Sequence, residues 1–164
     1  MNIFVLNENP VIAAQDHCDK HVVKMIIEGA QMLSFSHHAV GSTVPGMYAL
    51  SKSHMSHPCT LWARRSSANY MWLYELTRAL CEQYTDRYGK IHKTDRVAMR
   101  HLWRIPPGYK KHNLTRHALC MPEEFHQANV VEAYRDFYVT KPFTHTNYLH
   151  SPQPLWLLHR IGKT

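Results

Sequence analysis

Apolar positions group along this chain in a way that predicts helices. Met1 to Leu6 is a short apolar run, read as an extended lead-in or a buried N-terminal arm. Asn9-Pro10 then supplies a capping side chain and a proline set for the first helical position. From there to about His38 no proline intervenes, Gly29 is tolerable, and Ile12, Val22, Val23, Met25, Ile26, Ala30 and Leu33 predict one long amphipathic helix. Gly41 to His57, with the pair Pro45-Gly46, reads as a loop closed by His57-Pro58. A second long helix is predicted over Ser67 to Tyr88, where Tyr70, Leu73, Leu76, Leu80 and Tyr84 recur at steps of three and four and Gly89 serves as C-terminal cap.

Beyond it, Thr94 can cap a shorter helix to about Arg104, ended by Pro106-Pro107. Pro107 to Gln127 is irregular in composition. A last helix is expected from about Ala128 to Val139, stopped by Pro142, and the tail with Pro152, Pro154 and Trp156 is expected to lie extended across the body. Strand signals are weak throughout. The expectation is an all-α fold: a single domain over 1–164 of about four helices with long irregular connections and an extended C-terminal tail.

Length and composition agree with that picture. A 164-residue chain, 45% hydrophobic, is enough for one real core. No apolar run reaches the 18 or so residues of a membrane span, and no signal peptide is visible, so no membrane partner and a cytoplasmic location are expected. Cys18, Cys59, Cys81 and Cys120 are unevenly spaced with no Cys-x-x-Cys pair, and read as free thiols, Cys81 in the core.

Charge adds a partner. Nineteen Lys and Arg against twelve Asp and Glu give +7 before any of the 14 histidines is counted. Between Arg96 and Pro122 no acidic residue occurs, while Arg96, Arg100, Arg104, Lys110, Lys111 and Arg116 all do. A one-sign stretch of that kind concentrates phosphates and makes binding steeply salt-dependent, which points to DNA; the plain alternative is a solvated surface loop.

The chemistry-bearing residues fall on the first predicted helix. Residues seven apart share a helix face, so His21 and Glu28 stack with Lys24 between them and His17 one turn earlier. Such a stripe either faces water or lines a cleft, and spacing alone does not choose. A metal is the other option: His17-x3-His21 has the spacing with which two imidazoles share a zinc ion, and His54, His57 and Cys59 offer further ligands.

Asp19-Lys20-His21 with Glu28 seven residues on, behind a short apolar N-terminal run, resembles the phage-type pyrimidine-dimer DNA glycosylases, the small endonuclease V family. His57-Pro58 with Trp62, and Arg87-Tyr88-Gly89-Lys90 followed by His92, extend the resemblance over roughly the first 93 residues; 94–164 hold the basic segment, last helix and tail. The chain also resembles phage-encoded proteins carrying Cys-Asp-Lys-His and His-Pro-Cys-Thr, which would place it in the cytoplasm of a bacteriophage host. The resemblance implies a DNA-repair N-glycosylase, possessing or lacking lyase activity, with no cofactor. The amine of Met1, or of Asn2 if Met1 is removed, attacks the sugar C1′ of a damaged or modified pyrimidine nucleotide in duplex DNA. Glu28 stabilises the cationic sugar and shuttles protons, and His21 orients near it. His17, Lys20, Lys24, Arg64 and Arg65 join the basic stretch as DNA contacts, with Tyr70 and Trp72 as aromatic candidates for an extruded nucleotide. The competing expectations are a non-enzymatic nucleic-acid-binding or host-inhibitor protein and a histidine-ligated metal-dependent hydrolase.

Overall fold

The computed structural model describes residues 1–109 and 111–162. Its helices are α1 (Pro10–Gln15), α2 (Asp19–His38), α3 (Lys52–Met55), α4 (Pro58–Ala63), α5 (Ser67–Tyr88), α6 (Val130–Val139) and α7 (Leu155–Arg160). A π-helical turn at Asp95–Met99 and 3-10 turns at Glu123–Phe125 and Pro142–His145 complete the regular structure. No strand occurs among the described residues, so the fold is all-α. Among the described residues no helix is long and apolar enough to cross a membrane.

The frame is α2 laid against α5, with α1 packed on α5 as well. Val22, Met25, Ile26, Gly29, Ala30 and Leu33 form the buried stripe of α2, and Tyr70, Leu73, Leu76, Thr77 and Leu80 answer it from α5. Gly29 is more than tolerable there. A Cβ at that position would lie 2.3 Å from Thr77 Oγ1, and that hydroxyl is held by its bond to Leu73 O at 2.7 Å. The two helices touch at a point where only a hydrogen fits.

The apolar run at the N-terminus is a buried arm. Ile3, Phe4, Val5 and Leu6 are all 5% exposed or less. The arm forms no sheet; side chains satisfy part of its backbone, Arg135 Nε of α6 donating to Leu6 O at 2.9 Å.

Four expectations are corrected. The first predicted helix is two helices, because Asp16-His17-Cys18 turns the chain. His17 Nδ1 donates back to Ala13 O at 2.6 Å, and the Arg87 guanidinium from the end of α5 donates to Gln15 O at 3.0 Å and to His17 O at 2.8 Å. These carbonyls therefore need no following helical turn. Second, Pro58 opens α4 rather than closing a loop, with His57 Nδ1 accepting the Cys59 N–H at the N-cap. Third, the tail is not extended throughout: α7 folds back onto α6, where Arg160 pairs with Glu132 and Asp136. Fourth, the Thr94–Arg104 segment is a π-helical turn followed by ordinary turns. The helix Ser67–Tyr88 ends, as predicted, at Gly89 with a φ of 63°.

Replacing Gly29 with alanine should push α2 and α5 apart. Overpacking of this kind costs about 1–3 kcal/mol, a drop of roughly 2–12 °C in melting temperature for a chain of this length. Thermal denaturation followed by circular dichroism checks it, and Gly29→Ala combined with Thr77→Ala should recover part of the loss.

Candidate active site

Glu28 sits where the middle of α2 meets the start of the arm. Its carboxylate Oε2 accepts the Asn2 N–H at 2.9 Å and lies 3.8 Å from the Met1 nitrogen, while Oε1 pairs with Lys24 Nζ at 3.3 Å. The Glu28 side chain is 13% exposed, neither sealed in a dry pair nor free in bulk water. It opens on a cleft of about 280 Å³ lined by Met1, Asn2, Phe4, His21, Lys24, Glu28, Phe137, Lys141 and Phe143. That is just under the ~300–1,000 Å³ usual for ligand sites, so one base-sized or sugar-sized group fits.

His21 forms the floor of this cleft. Its ring stacks on Phe4 at 4.6 Å and meets the edges of Tyr138 and Phe143 at 5.1 Å. Nδ1 lies 2.9 Å from the Tyr138 hydroxyl, which already accepts the Cys18 N–H at 3.0 Å. That bond and the ring contacts fix the plane of the His21 imidazole. Burial, reinforced by the positive field of His17, Lys24, Lys141 and Lys20, lowers its pKa to about 3. His21 is thus a neutral group that orients and hydrogen-bonds; it does not act as a cation at neutral pH.

His17 does not belong to the stripe. It lies in the turn before α2, is 0% exposed, and spends Nδ1 on Ala13. Its Nε2 has no partner, and burial lowers its pKa to about 4. Neither a DNA contact nor a metal ligand is available from that position. The expected metal set fails with it: His17, His21 and His54 do not converge with His57 and Cys59. The one group of three or more metal-donor atoms that closes up among the described residues is His57, Cys59 and Cys120, all within 4.8 Å of one another.

Cys59 and Cys120 reach this cluster from α4 and from the irregular segment before Pro122, with Cys59 Sγ donating to Cys120 Sγ at 3.0 Å. That bond raises the Cys59 pKa and lowers that of Cys120. Asn2 joins the cluster to the cleft. Its backbone bonds Glu28, its Nδ2 donates to Cys120 O at 2.9 Å, and its Oδ1 lies 3.8 Å from Cys59 Sγ.

Lys141, Phe137 and Phe143 were not singled out from sequence. Lys141 Nζ sits 4.0 Å from the Phe137 ring centroid, and Lys20 Nζ lies 4.7 Å from that of Phe143. Burial and the neighbouring Lys24 lower the Lys141 pKa. The signals were there only in part: Lys141-Pro142-Phe143 follows a predicted helix end, where periodicity carries no information.

The basic stretch is exposed at Arg96, Arg100, Arg104, Lys111 and Arg116, and Lys110 lies outside the described residues. It does not enter the cleft. Arg104 O accepts from His37 Nε2 at 3.0 Å at the far end of α2, nine residues and so about 14 Å along the axis from Glu28. Arg65 is exposed, whereas Arg64 is half-buried and donates to Met55 O at 3.2 Å. Tyr70 and Trp72 are core residues, bonded through their polar tips to Leu102 O and Glu8 O, and neither can stack on an extruded base.

No family model matches the chain, and no curated protein or solved structure matches it either.

The two buried imidazoles fix a pH dependence. Both titrate lower in the folded chain than the ~6.5 of an unfolded histidine, so the unfolded state binds more protons below that value. The stability they provide is complete above about pH 6.5 and is lost as pH falls towards the folded values of about 4 and about 3. Urea denaturation at pH 7 and pH 4.5 should show a fall of a few kcal/mol, and an unchanged midpoint would contradict the burial of both rings.

Proposed function

We propose that the chain is a DNA glycosylase with associated lyase chemistry, acting on a damaged or modified pyrimidine nucleotide turned out of the duplex into the Glu28 cleft. The observation that carries this reading is the meeting of the chain's first two backbone nitrogens with one carboxylate. Met1 N at 3.8 Å and Asn2 N at 2.9 Å flank the same Glu28 oxygen, so a free amine on either residue would stand beside it.

The reaction follows from that pairing. The unprotonated amine attacks C1′; the new C–N bond forms as the glycosidic bond breaks, and its electron pair leaves with the base. The Glu28 carboxylate faces the positive charge that develops on the sugar and accepts the proton shed by the attacking amine. Ring opening gives an imine, whose electron-withdrawing C=N acidifies C2′; loss of that proton to a nearby base expels the 3′ phosphate by β-elimination. Lys24 and Lys141 supply positive charge for the flanking phosphates, and Phe137 and Phe143 offer aromatic faces to the extruded group. Neutral His21 bonds and orients without competing for the leaving base's proton. The exposed arginines of the basic stretch, Arg104 at the far end of α2 among them, suit the phosphates of the flanking duplex.

The test is borohydride trapping on ultraviolet-irradiated and abasic duplexes. A covalent adduct mapping to the first or second residue is expected, with Glu28→Gln slowing strand cleavage at least ~100-fold while the melting temperature holds. Neutralising Arg100, Arg104 or Lys111 should weaken duplex binding and flatten its salt dependence by about one charge each. No adduct and no nicking, with Glu28→Gln indistinguishable from the parent, would remove the reading, as would an adduct mapping to Lys141.

A further inference from the structure

We propose that His57, Cys59 and Cys120 hold a transition-metal ion, most suitably zinc, at a three-ligand site next to the Glu28 cleft. Two thiol sulfurs and one imidazole are the borderline-soft donors that select zinc over magnesium or calcium. Their donor atoms already lie within 4.8 Å of one another. Tetrahedral zinc with bonds of about 2.3 Å to sulfur puts two such sulfurs roughly 3.8 Å apart. The thiols stand at 3.0 Å, so loading asks them to separate by less than an ångström.

The site is built before any ion arrives. His57 and Cys59 flank Pro58 at the start of α4, where the fixed proline ring sets their spacing, and loading turns the His57 lone pair from the Cys59 N–H, 3.2 Å away, to the ion. Cys120 is pinned from both sides of its peptide: its N–H donates to the Tyr134 hydroxyl at 3.3 Å and its carbonyl accepts from Asn2 Nδ2 at 2.9 Å. Cys59 is 1% exposed. The remaining thiols differ, since Cys18 and Cys81 are buried with no histidine and second cysteine closing up around them.

Asn2 Oδ1, 3.8 Å from Cys59 Sγ, already accepts from the Ile3 N–H at 2.7 Å. No fourth histidine, cysteine or carboxylate closes on the cluster among the described residues, which leaves the fourth position to water or to a ligand, the arrangement of metal sites that take part in chemistry rather than only cross-link a fold. Loading releases the protons of the ligating thiols to solvent and needs no oxidant. This inference is independent of the glycosylase reading, because nothing in it uses the amine or Glu28.

Cobalt(II) and zinc titration of the full-length reduced protein tests it. The expected result is about one equivalent bound per chain, with a sulfur-to-cobalt charge-transfer band and visible bands of a tetrahedral site. His57→Ala and Cys120→Ser should each weaken binding at least tenfold, whereas Cys81→Ser should leave it unchanged. Circular dichroism melts of each variant separate loss of the site from loss of the fold, and Cys120→Ala, which removes only a half-buried thiol, provides a second variant. Two results overturn the proposal: no cobalt–thiolate band and no zinc retained by protein whose thiols are titrated as free, or a Cys59–Cys120 disulfide that, once reduced, still binds no metal.

Discussion

The buried ion pair between Arg87 and Asp19 holds the rest of the molecule in place. Both side chains are 5% exposed or less, and Arg87 Nη1 meets Asp19 Oδ1 at 3.0 Å. A guanidinium taken out of water is expensive unless its donors are used, and here one nitrogen pair serves the carboxylate and the carbonyls of Gln15 and His17. The other Asp19 oxygen accepts from the backbone of Leu149 and His150 and from the His150 ring. Burial pushes the Asp19 pKa up, but these bonds outweigh it and hold the carboxyl below its ordinary range. One pair thus fastens the end of α5, the turn between α1 and α2, and the C-terminal tail. Removing either partner would leave a buried charge alone, a loss of about 3–5 kcal/mol.

The position of the candidate site follows from that turn. Had α1 run on into α2, His17 would stand over His21 and the polar stripe would point outward from a single long rod. Because the chain turns at His17, the arm enters the core beneath α2 and its Phe4 packs flat on His21. The arm then runs back along α2 so that Asn2 and Met1 end at Glu28. α6 closes the arrangement, Arg135 holding Leu6 O, Tyr134 reaching Asn2, and Tyr138 reaching both Cys18 and His21. The carboxylate and the amine therefore meet as a consequence of packing far from either.

Local patterns made some of this legible in sequence and left the rest unreadable. The extent of α5 could be read because a three-four apolar rhythm and Gly89 agree, and the structure adds the cap at its start, where the Ser66 hydroxyl accepts the Asn69 N–H. Lys24 and Glu28 could be placed on one face because they lie within one unbroken helix. The turn at His17 could not, since nothing in Gln15-Asp16-His17-Cys18 breaks a helix by itself; the break comes from an arginine seventy residues away. Nor could the joining of Cys120 to His57 and Cys59, since it is brought in through Asn2 and Tyr134. Histidine spacing put His17 and His21 in the candidate metal set because i and i+4 positions say nothing about burial, whereas His57 and Cys59 of that set do fall within the donor cluster. The arginines of the basic stretch were readable as exposed, but their distance from Glu28 depends on where the segment crosses the far end of α2.

Asn2 explains why the two halves of the site belong together. Its side chain must donate to Cys120 O while accepting from the Ile3 amide, and its own amide must donate to Glu28. An amide side chain alone meets those demands, because a carboxylate has no donor for Cys120 and a hydroxyl is too short to serve both sides. Its oxygen also stands within 3.8 Å of the Cys59 sulfur, where a negative charge would repel a thiolate. A residue forced to be neutral, to donate and to accept at once fixes the register of the whole arm. A shift of one position along it would withdraw Phe4 from His21, Asn2 from the cysteines and the amine from Glu28 together, so the cleft and the thiol cluster are held by the same few bonds.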